Sequence, residues 1–137
     1  MYKKLLVPVD LAHVDALANA LSVAGDLAQH YHAEICYLGV TSTTPTDVAA
    51  TPAEYEQALS DFADAQAHNH QQAVSVHAVV SPDPVADLDD LVVKAITQVG
   101  ADLLVMATHL PRHLDAVIPA HGGKIATHTD ISVFLVR

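Results

Sequence analysis

Few residues in this sequence have both a side chain that could bind a ligand and a position where ligands bind, and Asp10 is the first of them. It directly follows the apolar run at residues 5–9, and a carboxylate at the end of a buried strand can accept hydrogen bonds from a base or a sugar. An aspartate at this position can equally cap the helix that follows. Ligand contact and helix cap are both consistent with the sequence around Asp10.

The stretch Ala107-Thr108-His109 is the second candidate, because it follows the apolar run at residues 103–106. Open parallel sheets bind ligands beyond the carboxyl ends of their strands, where the strand order reverses. In the common orders of a five-stranded sheet, the first strand borders that crevice and the fourth is its neighbour. We therefore expect Asp10 and residues 107–109 at one crevice.

The histidines are numerous, ten in all, and six of them form the close pairs His30/His32, His68/His70 and His109/His113. Histidines two residues apart at a helix end converge on one metal ion only if the backbone turns there. The pair four residues apart converges only in a helix, which Pro111 disfavours. Histidines late in a helix more often interact with its dipole. We expect no physiological metal site.

Common catalytic signatures are missing. The sequence contains no GxxxxGK[ST], GxGxxG, GxSxG or HExxH motif. Cys36 lies in an apolar run without a cationic neighbour, which indicates a buried, inert thiol. A single cysteine also excludes a disulfide framework and a multi-cysteine zinc site. The sequence therefore suggests no catalytic residue.

Composition restricts the partners. The 137 residues are 51% apolar, enough for the core of one domain spanning residues 1–137. Six Lys and Arg against sixteen Asp and Glu give a net charge of −10, and no Lys or Arg lies between Lys4 and Lys94. Nucleic acids and anionic membranes are bound through clustered basic residues, so we expect neither as a partner. No secretory signal or membrane-length apolar run is evident, which predicts a cytoplasmic protein.

The elements that would position these residues alternate between strands and helices. The predicted strands are residues 5–9, 33–40, 74–80, 103–106 and 131–136. The first predicted helix spans residues 14–31. The second is capped by Thr51 and Glu54 and buries Tyr55, Leu59, Phe62 and Ala65. The third runs from Asp83-Pro84 to Gly100, and a short helix lies near residues 122–127. The alternation predicts an α/β fold, a five-stranded open parallel sheet with helices on both faces.

Three stretches of the chain resemble the universal stress protein family. They are residues 1–10 (MYKKLLVPVD), 100–106 (GADLLVM) and 132–137 (SVFLVR). Each is weakly specific, but their order and separations match the family over essentially the whole length. The resemblance implies a Rossmann-like fold of the adenine nucleotide alpha hydrolase type, with ATP or another adenine nucleotide in the crevice.

The resemblance also implies a set of nucleotide contacts. Asp10 would meet the adenine–ribose end, Pro8 and Val9 would support it, and the backbone of Val40 would bind the base. The phosphate end would involve Met106, Ala107, Thr108, His109, Arg112, Ala120, His121 and Gly122.

The phosphate loop departs from the family pattern, which is Gly-x2-Gly, nine residues, then Gly and Ser or Thr. The first two glycines fall on Ala107 and Leu110, and the last pair falls on Pro119-Ala120. These changes remove backbone freedom, an amide donor and a hydroxyl that phosphate oxygens would use. A loop shifted to Gly122-Gly123, with Lys124 on the phosphates, is the alternative that would restore binding.

We therefore expect a non-catalytic, homodimeric stress-response module with weak or lost nucleotide binding and no required cofactor. The first alternative is an ATP- or AMP-binding switch that hydrolyses ATP slowly through the shifted loop. The second is a nucleotidyl-transfer enzyme, for which the expected His-x-Gly-His near the first helix is missing. The resemblance implies that strand 131–136 pairs with its copy in a second subunit, which would cover an apolar sheet edge. A further protein partner would be unidentified.

Overall fold

A computed structural model describes residues 1–108 and 124–137. Its strands are β1 (Lys4–Pro8), β2 (Glu34–Ser42), β3 (Val74–Ser81), β4 (Leu103–Ala107) and β5 (Ser132–Val136). Its helices are α1 (Ala18–Tyr31), α2 (Pro52–His70) and α3 (Pro84–Val99), with a 3₁₀ helix at Leu11–Leu17 and a helical turn at 124–127. All neighbouring strands are parallel. The predicted α/β fold is confirmed.

The strand order is β3-β2-β1-β4-β5, so the order reverses at β1. The chain builds β1, β2 and β3 toward one edge and then returns to the other side of β1 with β4 and β5. The carboxyl ends of β1 and β4 therefore border the crevice, as predicted. Two strands are sheet edges, β3 and β5.

Helices cover both faces of the sheet, as the burial of the central strand β1 shows. Leu5, Leu6 and Val7 of β1 are each at most 1% exposed. Side chains alternate along a strand, so Leu5 and Val7 join the apolar cluster under α1 and α2, whereas Leu6 joins the cluster under α3. A strand buried on both faces needs apolar residues at every position, which explains the uninterrupted run.

The start of α2 follows its sequence signals. The Thr51 hydroxyl accepts a hydrogen bond from the Glu54 amide at 3.2 Å, and the Glu54 carboxylate accepts one from the Ala50 amide at 2.9 Å. The carboxylate therefore reaches one residue further back than in the usual capping box. The expected buried face was wrong at one position, because Ala65 is exposed and Ala63 is buried instead. Ala65 lies off the i, i+4 row that faces the sheet.

The ends of α3 also match the prediction. The Asp83 side chain accepts a hydrogen bond from the Ala86 amide at 3.2 Å, and α3 begins with Pro84. Gly100, whose φ is 72°, ends the helix in the left-handed conformation that glycine adopts without strain.

The first helix differs from the prediction of one continuous helix over residues 14–31. The chain instead forms the 3₁₀ helix, in which His13 departs from helical geometry (φ −137°, ψ 47°), and α1 begins only at Ala18. The Asp10 cap starts the helical turn earlier than the apolar periodicity indicates. Apolar spacing alone does not separate a short 3₁₀ segment from the α-helix that follows it.

None of the helices within residues 1–108 and 124–137 has the length and apolarity needed to span a bilayer.

Candidate functional site

The carboxyl ends of β1 and β2 open a gap in the sheet. Val9, buried at 7% exposure, continues past β1 and donates its amide to the Leu38 carbonyl at 2.8 Å. The chain then leaves the sheet at Asp10, whereas β2 continues to Ser42. Pro8 and Val9 therefore lie at the inner end of the gap, and their support of a nucleotide stays a prediction.

Val40 faces this gap with its backbone. Alternate residues of a strand direct their N–H and C=O groups toward the same neighbour. Leu38 uses its carbonyl toward β1, so Val40, two residues on, directs its N–H and C=O to the side where β1 has ended. One donor beside one acceptor suits a base that presents an amino group next to a ring nitrogen, as adenine does.

Asp10 caps the 3₁₀ helix. Its Oδ1 accepts a hydrogen bond from the Ala12 amide at 3.0 Å, and its Oδ2 accepts one from His13 Nδ1 at 2.8 Å. The helix-cap hypothesis is thus confirmed. Each carboxylate oxygen has a second lone pair, and the Asp10 side chain is 41% exposed. The carboxylate can therefore cap the helix and accept a hydrogen bond from a ligand at the same time, and contact with a ligand stays a prediction.

Tyr55 of α2 reaches the same gap, although its spacing indicated only a core position. It is 4% exposed, and its hydroxyl lies so close to Gly39 that a Cβ there would come within 2.5 Å of the oxygen. Burial, with a smaller contribution from the negative charge of Asp10, raises the pKa of Tyr55 to about 12. The hydroxyl is therefore a hydrogen-bond donor at neutral pH. The apolar periodicity of a helix shows that an aromatic residue faces the core, but it does not show that its hydroxyl lies beside a gap in the sheet.

Thr108 directs its donors away from the crevice. Its amide donates to the Val136 carbonyl at 2.8 Å, and its hydroxyl donates to the same oxygen at 3.2 Å. These bonds fasten the end of β4 to β5. The predicted contact between Thr108 and a phosphate stays a prediction, but both of its donors are already engaged.

Met106 and Ala107, which precede Thr108, point to opposite faces of the sheet. Met106 is 6% exposed and packs in the cluster under α3, whereas Ala107 packs against the cluster under α1 and α2. The other predicted phosphate-loop residues lie outside the described residues, namely His109, Arg112, Ala120, His121, Gly122 and Gly123.

Lys124, the cation of the alternative phosphate loop, contacts α3. Its Nζ lies 3.6 Å from Oδ2 of Asp89, which is 8% exposed. From the sequence, Asp89 is expected only to balance the helix dipole, together with Asp87 and Asp90. An approach of Lys124 to phosphates would have to compete with this ion pair.

Four of the described histidines, His30, His32, His68 and His70, lie at helix ends. His32 ends α1 in a left-handed conformation (φ 55°), and His30 packs edge-on against Tyr31 with ring centroids 4.7 Å apart. His68 and His70 both lie in the last turn of α2, not on either side of its end as the sequence suggested. Within residues 1–108 and 124–137, no group of three or more His, Cys, Asp or Glu side chains could hold a metal ion. The pair His109/His113 lies outside these ranges.

Cys36 is enclosed in the sheet. The residue is 1% exposed, and burial raises the pKa of its thiol. A buried thiol with a raised pKa is a poor nucleophile, in agreement with the inert role expected of it.

Comparison with known proteins identifies the family. The sequence profile of the Universal stress protein family matches residues 1–137. No curated protein matches the chain. Similar structures include a universal stress protein in complex with cAMP (19% identity, TM-score 0.72, covering 99% of this chain and 97% of that one). They also include a universal stress protein from Archaeoglobus fulgidus in complex with dAMP (14% identity, TM-score 0.69, covering 99% of this chain and 98% of that one). A third is a universal stress protein family protein from Arabidopsis thaliana with AMP bound (14% identity, TM-score 0.61, covering 98% of this chain and 90% of that one).

At these identities the structural likeness shows the fold, whereas the family profile covers the whole sequence. The chain belongs to the universal stress protein family.

Proposed function

We propose that this chain is a stress-response module that binds adenine nucleotides weakly, through their nucleoside end. One observation carries the proposal. At the gap where β1 ends, the backbone of Val40 faces the side that β1 has left and the Asp10 carboxylate follows β1, while both donors of Thr108 are bonded to β5. The crevice thus offers groups for a base and a sugar and few for phosphate.

The similar structures support this ligand class, because cAMP, dAMP and AMP share an adenine base. The charge of the chain supports weak phosphate binding. The net charge is −10, and Lys124, the nearest described cation to the predicted phosphate loop, is paired with Asp89. A triphosphate would therefore meet little compensating charge.

Calorimetry with adenosine and ATP tests the proposal. A charge-assisted hydrogen bond contributes about 1.5–3 kcal/mol, so the loss of two weakens binding by roughly two to four orders of magnitude. We expect ATP to bind no more tightly than adenosine at neutral pH. Low micromolar affinity for ATP with far weaker binding of adenosine would instead favour the switch that uses Gly122-Gly123 and Lys124. Absence of adenosine binding would refute the proposal.

We also propose that the module is a homodimer formed through strand 131–136. β5 is an edge strand, and two consecutive residues on its opposite faces, Phe134 and Leu135, are 44% and 40% exposed. Apolar side chains on both faces of a free edge favour association. Pairing with a second β5 by a two-fold axis would extend the sheet, satisfy the backbone groups of both edges and place the exposed side chains of each β5 beside those of its copy.

A further inference from the structure

We infer that Tyr55 is a ligand-contacting residue of the crevice, whose hydroxyl donates a hydrogen bond to the nucleoside. The inference rests on the proposed function, since it concerns the same crevice. It adds a group from α2 to contacts that otherwise come from the ends of β1 and β2.

The packing of Tyr55 places its hydroxyl beside the gap. The ring lies on Gly39, and a Cβ at that position would come within 2.9 Å of Cε1 as well as 2.5 Å of the hydroxyl oxygen. Gly39 stands between Leu38, which accepts the last hydrogen bond from the β1 side, and Val40, whose backbone is open. The hydroxyl therefore lies within one residue of the proposed contact to the base.

The Tyr55 hydroxyl forms no hydrogen bond with another described residue, and unlike the hydroxyls of Tyr37 and Ser75 it is not a fully enclosed atom without a partner. A ligand that supplies an acceptor can therefore take a hydrogen bond from this hydroxyl. The charge of Asp10 acts on Tyr55, which indicates that the two side chains are close. A donor from Tyr55 beside an acceptor from Asp10 suits a sugar hydroxyl, which can accept from one and donate to the other.

Tyr37 supplies a matched control within the same chain. It is also a buried tyrosine on the face that α1 and α2 cover, with 0% exposure and an unpartnered hydroxyl. Its ring packs edge-on against Phe62 with centroids 5.4 Å apart. Two residues before Gly39 along β2, it lies deeper in the sheet and away from the gap.

The experiment measures adenosine and AMP affinity by calorimetry for the wild type, Tyr55→Phe and Tyr37→Phe. One hydrogen bond corresponds to roughly a three- to tenfold change in affinity. We expect Tyr55→Phe to lose this factor for both ligands equally, because the contact is to the nucleoside. Tyr37→Phe should bind like the wild type. Thermal melts establish that both variants fold.

Adenosine binding by the wild type with unchanged affinity in Tyr55→Phe would overturn the inference and leave the proposed function intact. Failure of the wild type to bind adenosine would refute the proposed function and the inference with it. If Tyr55→Phe does not fold, tyrosine difference absorbance decides. A ligand-induced band in the wild type and in Tyr37→Phe supports the contact, and no band at saturation overturns it.

Discussion

Tyr37 and Tyr55 are buried on one face of the sheet, where they are 0% and 4% exposed. Burial raises the pKa of each to about 12, because the phenolate loses its hydration there. Both rings pack among apolar side chains under α1 and α2. The phenol form is therefore the only one that the folded protein accommodates easily.

This shift predicts a specific loss of stability at alkaline pH. Tyrosine ionises near pH 10 in the unfolded chain and near pH 12 in the folded one. Above pH 10 the unfolded state binds fewer protons, so the free energy of unfolding decreases with pH. The stabilisation is complete below about pH 10 and is lost between about 10 and 12, at roughly 1.4 kcal/mol per pH unit for each tyrosine. Urea unfolding at a series of pH values measures this slope.

Tyr37→Phe isolates the contribution of one ring. Above pH 10 we expect its free energy of unfolding to decrease less steeply than that of the wild type. The difference in slope should equal the contribution of one tyrosine. Every other titratable group is the same in both proteins, so the difference between the two slopes reports on Tyr37. Identical slopes would show that its hydroxyl ionises as readily in the folded state as in the unfolded chain.

At the scale of elements, the contact of α2 with β2 depends on Gly39. The Tyr55 ring and the Leu59 Cδ2 atom occupy the space that a Cβ would need, at 2.5–2.9 Å. Both side chains are buried and have little room to move. Gly25 of α1 also faces a side chain, that of His70, but this residue is half-buried at the end of α2 and its ring can rotate.

Gly39→Ala is therefore expected to destabilise the protein by about 1–3 kcal/mol, the usual cost of overpacking a core. The penalty should be smaller in a Tyr55→Phe background, where the nearest atom is gone. A double-mutant cycle from urea unfolding measures this coupling. Gly25→Ala serves as the control and should cost less than Gly39→Ala. Equal costs at the two glycines, or no coupling to Tyr55, would contradict this packing.

At the scale of the whole molecule, the sheet has two free edges of different character. β5 exposes Phe134 and Leu135, and β3 exposes Val80 at 44%. Residues 74–79 of β3 are all half-buried, Ser81 is buried, and the strand contains no Asp, Glu, Lys or Arg. Our dimer proposal assigns self-association to β5 and leaves β3 outside that contact.

Lysine substitutions at the two edges test this assignment. We expect the wild type to be a dimer at tens of micromolar in light scattering, and Phe134→Lys with Leu135→Lys to be monomeric, because paired lysines repel and lose hydration. Val80→Lys places a single lysine at a position of similar exposure on the other edge and should remain dimeric. A monomeric wild type would refute the dimer. Dissociation caused only by Val80→Lys would place the contact on β3.

Local signals in the sequence predicted most of the helices and strands and the position of the crevice. Thr51 and Gly100 mark helix ends because caps and left-handed residues depend on neighbours along the chain. The alternation of strands and helices restricts the topology, and the reversal of strand order at β1 then locates the crevice at Asp10. The 3₁₀ start of the first helix was missed, since apolar spacing describes a face and not the hydrogen bonds of a turn.

Contacts between residues distant in sequence were decided only by the tertiary structure. Thr108 donates both of its hydrogen bonds to the Val136 carbonyl, and Lys124 pairs with Asp89 of α3. Tyr55 combines a core position with a hydroxyl beside the gap because α2 crosses β2 at a glycine. Periodicity shows which face of a helix is apolar, but which atoms meet there depends on register and approach between elements. That is why the sequence indicated where this crevice lies, and the fold determined which of its polar groups are left to meet a ligand.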